Sequence, residues 1–259
     1  MSGSTQLFTT LLALVLVTSA CTSISTPEPT SPPDPTVIPS PQYKILYIGN
    51  SFTFWREGLV YHTEQLAGSA DPSLIIEADS VVRGGASLET MWEWTKARET
   101  IGEGDFDVVV LQEDIPETNV DSFYEYARKF VAEIKEAGAE PVLFMAWSYE
   151  RLGWITMEEI AQAHRDIAIE LGVDVAPVGL AWHRAMEERP DLDMYDSDRE
   201  HPSIYGTYLA VNVVYATLFG KSPIGLAYLP SERGGVTEEE AAFLQRIAWE
   251  TVQEYQEAQ

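Results

Sequence analysis

The chain has 259 residues, 45% of them apolar, and carries 41 acidic side chains against 16 Lys and Arg, a net charge of −25 at pH 7. That balance argues against nucleic acid as a partner and against electrostatic docking on anionic lipid, both of which need a basic patch; a habitat of high ionic strength is one hypothesis for it. With Cys21 as its single cysteine, the chain has no intrachain disulfide.

Leu7 to Ala20 is an apolar run that ends in the small residues Thr18, Ser19 and Ala20, directly before Cys21. This is the pattern of a secretory signal, and it is short for a membrane span. The placement of Cys21 resembles the lipobox of bacterial-type lipoproteins. The resemblance implies a signal peptide over residues 1–20, a lipid anchor on Cys21 and an extracytoplasmic, cell-envelope location, with plain secretion as the alternative. Thr22 to Gln42 is rich in Ser, Thr and Pro and has little to bury, so residues 21–42 are expected to be an extended tether. The 217 residues from Tyr43 to Gln259 suffice for one domain with a sizeable core.

Lys44 to Ile48 reads as an apolar strand that stops at Gly49-Asn50-Ser51, and Leu59, Val60, Thr63, Leu66 and Ala67 then recur at helical spacing. Ser73 to Val82 holds a second strand, ending at Arg83-Gly84-Gly85. Leu88, Met91, Trp92, Thr95 and Lys96 space out as a helix. Phe106 to Leu111 is a β-branched run of the kind buried on both faces of a parallel sheet, and it ends at Gln112-Glu113-Asp114. Asp121 is read as the cap of a helix running to Ala137. Pro141–Ala146 and Val173–Val178 are the fourth and fifth strands, separated by a helix over Met157–Leu171. Helices over Gly179–Glu188, Ile204–Phe219 and Thr237–Gln256 complete the chain. Strands alternating with helices in this way predict a three-layer α/β/α sandwich around a central, mostly parallel five-stranded sheet, with ligands held at the carboxyl ends of the strands.

Two polar blocks carry candidate chemistry. Asn50 and Ser51 end the first strand, where either could simply cap the next helix and where a hydroxyl can also serve as a nucleophile. Much later comes Asp198-Arg199-Glu200-His201, whose spacing lets the carboxylate bond one imidazole nitrogen while the other faces a serine. With the glycine turn after the second strand and Gln112 after the third, residues 43–259 are similar to the SGNH (GDSL-like) hydrolase superfamily, nearest the subgroup with Asn before the serine. That resemblance implies a serine esterase in which Ser51 attacks, His201 is the base and Asp198 orients it. It also implies oxyanion donors from the Ser51 backbone, from the second block and from a side-chain amide in the third. The third block lacks the usual Asn after Gly, and of its side chains only Gln112 has an N–H to donate, so Gln112 is expected there. In the second block Gly85 is preferred to Gly84, and the choice stays open.

Short acyl esters of carbohydrates, acetyl esters above all, are the expected substrates. A lipase, thioesterase or acyltransferase would use the same residues, and a catalytically silent glycan-binding lipoprotein is the alternative from another class. His62, His164 and His183 lack metal-ligand spacing, so no metal or other cofactor is expected, and His62 and His164 are read as helix-surface residues. Trp147 and Tyr149 could wall a pocket, with packing the stronger expectation for both; Trp92 is expected in the core and Trp94 partly exposed. The oligomeric state is not legible.

Overall fold

Side chains along Tyr43–Gly49, strand β1, alternate between two apolar layers, with Ile45 and Tyr47 facing one and Leu46 and Ile48 the other. Val108–Glu113 (β3) and Glu140–Met145 (β4) repeat the alternation, because a strand in a parallel sheet must bury both faces. Ile76–Val82 (β2) and Asp174–Ala176 (β5) complete a five-stranded sheet of order β2-β1-β3-β4-β5 in which every pairing is parallel. The computed structural model describes residues 43–231 and 234–258; the expected signal peptide, Cys21 and the 21–42 tether lie outside the described residues.

The helices divide between the faces as the strand alternation requires. Gly58–Ala70 (α2), Val178–Glu188 (α7), Ile204–Phe219 (α8) and Glu238–Glu257 (α9) cover the layer of Ile45 and Tyr47. Leu88–Trp94 (α3), Ala97–Glu103 (α4), Val120–Glu136 (α5) and Met157–Leu171 (α6) cover the layer of Leu46 and Ile48. The α/β/α sandwich read from the sequence is thus the fold, with the sheet wholly parallel. In an open sheet of this order, chain connections leave β1 toward one edge and β3 toward the other. The crevice between their carboxyl ends is therefore the switch point where ligands settle.

Local boundaries depart from the sequence reading for identifiable reasons. Asn119, not Asp121, caps α5, its side chain accepting from the Ser122 backbone N–H. The expected helix over 88–96 ends at Trp94, and a second short helix, α4, begins at Ala97, whose backbone N–H donates to the Thr95 hydroxyl. The second strand begins at Ile76, and β3 runs on through Gln112 and Glu113.

His62 and His164 are both fully buried, contrary to the surface reading. The His62 Nε2–H donates to the Arg56 carbonyl while its Nδ1 accepts from the Tyr228 hydroxyl. The His164 Nδ1–H donates to the Ile160 carbonyl, and burial lowers its pKa to about 4, so the ring packs as a neutral group. Trp92 is half-buried against Phe130 and Trp94 is 77% exposed.

Candidate active site

β1 delivers the chain to Asn50 at the switch point, and Ser51–Phe54 then forms a single helical turn, α1. Asn50 caps it, its side-chain oxygen accepting from the Phe52 N–H at 3.0 Å. Capping and an available hydroxyl therefore coexist: Asn50 holds the turn, and the half-buried Ser51 side chain leaves it toward His201. From the far side of the sequence, the loop before α8 brings His201 to Ser51, with Nε2 2.8 Å from Oγ. On the other side of the ring Nδ1 lies 2.8 Å from Asp198 Oδ2. A carboxylate only accepts, so the proton sits on Nδ1 and Nε2 accepts from the Ser51 hydroxyl.

Asp198 is itself fixed by the loop rather than by a helical turn. Its Oδ1 accepts the backbone N–H groups of Glu200 and His201 at 3.0 and 2.9 Å, and Arg199 between them takes φ of 61°. Partial burial works to raise the Asp198 carboxyl, but the His201 and Glu200 N–H bonds and the imidazole hold it below its usual value.

Gln112 lies directly under the turn. Its Oε1 accepts from the Asn50 backbone N–H at 2.8 Å and the Thr53 hydroxyl at 3.3 Å, whereas its Nε2 is buried and has no hydrogen-bond partner among the described residues. Gly49 makes room for this amide: a Cβ there would lie 2.6 Å from both Gln112 Oε1 and Thr53 Oγ1. Gly49→Ala is accordingly expected to displace Gln112 and the turn, lowering stability by about 1–3 kcal/mol as overpacked cores do. A thermal melt and an ester assay on the same preparation check this, and a variant with wild-type values in both would contradict the packing argument.

Gly84 and Gly85 are exposed in the turn after β2, which is tied to β1 by an Arg83 N–H to Gly49 carbonyl bond at 3.2 Å. Gly85 has φ of 63°, a backbone that favours glycine.

What lies behind Ser51 had no signal in the sequence. Glu113 and Asp114, read there as polar residues after a strand end, are buried. Glu113 accepts the Leu88 N–H at the start of α3 and the Asp114 N–H. Asp114 accepts from the Tyr149 hydroxyl at 3.1 Å and, at 3.4 Å, from the Asn50 amide. Burial pushes both carboxyls up to about 7.

An acid whose pKa is raised by folding binds protons more readily folded than unfolded, so its contribution to stability falls as pH rises from about 4 toward 7. Asp114→Asn removes this titration. The stability of the variant relative to wild type is expected to improve over that window, by about 1.4 kcal/mol for each unit of displaced pKa. Denaturant unfolding at pH 4.5 and pH 7.5 measures it, and a difference that does not change with pH would refute the assignment.

Two further groups escaped the sequence reading. The Trp55 ring stacks on His201, centroids 4.0 Å apart at 21°, and Arg56 pairs with Asp196 at 2.7 Å. Trp147 and Tyr149 are buried and pack around Phe52, so they floor the Ser51 turn and do not wall an open pocket. His183 sits apart, its Nε2 3.0 Å from the Ser148 hydroxyl.

A wholly parallel five-stranded sheet of this order, flanked by helices on both faces, is an α/β/α arrangement shared with solved SGNH hydrolases. Among solved structures the chain is similar to a candidate SGNH hydrolase from Slackia heliotrinireducens, at 25% identity over 68% of this chain and 98% of that one, with a TM-score of 0.57. It is also similar to a DUF4886 family protein from Bacteroides uniformis, at 17% identity over 82% and 95%, with a TM-score of 0.67. A third likeness is to the acetylxylan esterase Axe2 of Geobacillus stearothermophilus, at 18% identity over 69% and 95%, with a TM-score of 0.56. No family model and no curated protein matches the sequence.

Proposed function

We propose that the domain is a serine carboxylic ester hydrolase that removes short acyl groups, acetyl above all, from carbohydrate esters. The observation that carries this reading is the unbroken chain from Ser51 Oγ through His201 to Asp198, at 2.8 Å per link, on the switch point of the sheet. His201 takes the Ser51 proton as Oγ bonds to the ester carbonyl carbon. The tetrahedral adduct collapses with the alkoxide leaving, and that alkoxide recovers the proton from Nε2. Water then enters by the same route and frees the acid. The Asp198 carboxylate, held in its charged form, supports the imidazolium at each step.

The oxyanion is assigned to the backbone N–H groups of Ser51 and Gly85. Gln112 stays the candidate third donor: its Oε1 is committed to the turn, and its Nε2 has no hydrogen-bond partner among the described residues. The short-acyl preference is supported by the packing of Phe52, Trp147 and Tyr149, which fills the space beneath the turn, and by the likeness to an acetylxylan esterase. The lipid anchor on Cys21 and an envelope location remain part of the proposal on the strength of the leader sequence.

The test is a panel of p-nitrophenyl esters from acetyl to octanoyl, then acetylated polysaccharides, alongside a fluorophosphonate probe. Labelling at Ser51 with turnover falling as the acyl chain lengthens is expected. Folded protein that neither labels nor turns over any ester would refute the reading.

A further inference from the structure

α1 does not run into α2. Trp55 ends the first turn, and Arg56 and Glu57 then adopt φ of 52° and 62°, left-handed conformations that side-chain-bearing residues rarely hold. The detour throws two side chains backwards onto the loop that carries His201. The Trp55 indole lies flat on the imidazole, and its Nε1–H donates to Asp196 Oδ2 at 3.2 Å. The Arg56 guanidinium donates twice, through a terminal nitrogen to the same Asp196 oxygen at 2.7 Å and through Nε to the Pro202 carbonyl at 3.0 Å.

This is a shielded ion pair, with side chains 9% and 16% exposed, unlike the surface pairs elsewhere on the molecule. The Asp196 backbone N–H also donates to the His201 carbonyl at 2.7 Å, closing the loop on itself. Arg56 is tied down from behind, its carbonyl accepting from the His62 ring. Segments about 140 residues apart are thus clamped on both sides of His201.

We propose that Trp55, Arg56 and Asp196 are positioning residues that set the plane of the His201 ring and its distance to Ser51 Oγ. The inference rests on the esterase reading for its consequence in rate. Trp55 restricts one face of the imidazole, and Arg56 fixes both ends of the loop, at Asp196 and at Pro202. Two bonds at different nitrogens of one planar guanidinium define an orientation, which a lysine ammonium cannot reproduce.

The experiment compares the full chain with Arg56→Met, Arg56→Lys, Trp55→Ala, Trp55→Phe and, as a remote ion-pair control, Arg128→Met, whose partner Glu170 lies on the exposed α5–α6 surface. p-Nitrophenyl acetate kinetics, the rate of fluorophosphonate inactivation and the downfield Nδ1 proton resonance of His201 are measured on protein shown to be folded by its thermal transition. Arg56→Met and Trp55→Ala are expected to lower kcat by about 10- to 100-fold, as a small misplacement of a reacting group does. KM should stay within about threefold, and phosphonylation should slow by the same factor as kcat.

Arg56→Lys and Trp55→Phe should recover part of the rate, Arg128→Met should match wild type, and the His201 resonance should broaden or vanish in the two severe variants. Wild-type kcat and an unchanged resonance in folded Arg56→Met and Trp55→Ala would overturn the proposal, as would a rise in KM at constant kcat. If the severe variants fail to fold, Arg56→Lys and Trp55→Phe decide by the same criteria. If wild type itself resists the probe, the esterase reading falls while the resonance still decides whether these residues position His201.

Discussion

Ser51→Ala is expected to lower kcat for a short acyl ester by at least about 10⁴-fold, and His201→Ala by a similar factor, because members of such an array act as one unit. The geometry leaves no substitute for the hydroxyl. His201 Nε2 bonds Ser51 Oγ, and the nearby Thr53 hydroxyl is engaged with Gln112 beneath the turn. Residual activity should come from substrate binding and the oxyanion donors alone. Steady-state rates with p-nitrophenyl acetate, at protein concentrations set by the folded fraction, read the loss. Turnover within tenfold of wild type in either variant would remove Ser51 and His201 from the mechanism.

Asp198→Asn is expected to be worse than Asp198→Ala, an ordering that follows from the loop. Oδ1 of Asp198 accepts two backbone N–H groups, so an asparagine will keep its carbonyl oxygen there and turn its NH₂ toward His201 Nδ1. The imidazole must then accept at Nδ1 and carry its proton on Nε2, facing Ser51 as a donor. That is the wrong tautomer for a base, and it costs about 10⁴-fold in kcat where it has been engineered in serine hydrolases. In Asp198→Ala the site opens instead. The Asp198 side chain is 44% exposed, so water can take the vacated position and accept from Nδ1. The drop should be nearer 10²-fold, as general-base assistance of ordinary size is lost. An alanine variant slower than the asparagine variant would show that tautomer control is not what Asp198 contributes.

The legible and illegible parts of the molecule differ in their range along the chain. Strands, the long helices and the array of Ser51, Asp198 and His201 rest on short blocks whose residue types state their purpose, and the structure brings those three side chains together. The Arg56–Asp196 pair joins residues 140 apart with nothing in either neighbourhood to announce it. Trp55, following the Ser51 turn, has no sequence feature that sets it apart from any aromatic at the end of a helix. The burial of Glu113 and Asp114 had no local signal, because acidic residues after a strand normally meet water; here α3 and Tyr149 arrive to enclose them. His62 and His164 sat at helical positions whose covering partners, Tyr228 and the Ile160 turn with Phe123, are supplied by the assembled fold.

α8 begins at Ile204, capped by the Ser203 hydroxyl two residues beyond His201, and is buried on nearly every side along Ile204–Thr217. A helix so enclosed cannot separate from its neighbours by fraying, and its backbone amides will exchange with solvent only when the whole domain opens. His201, the proposed base, is therefore fastened to the slowest-opening part of the molecule. Loss of activity under heat or denaturant should track global unfolding, with no range of conditions in which the protein is folded but its site has already come apart.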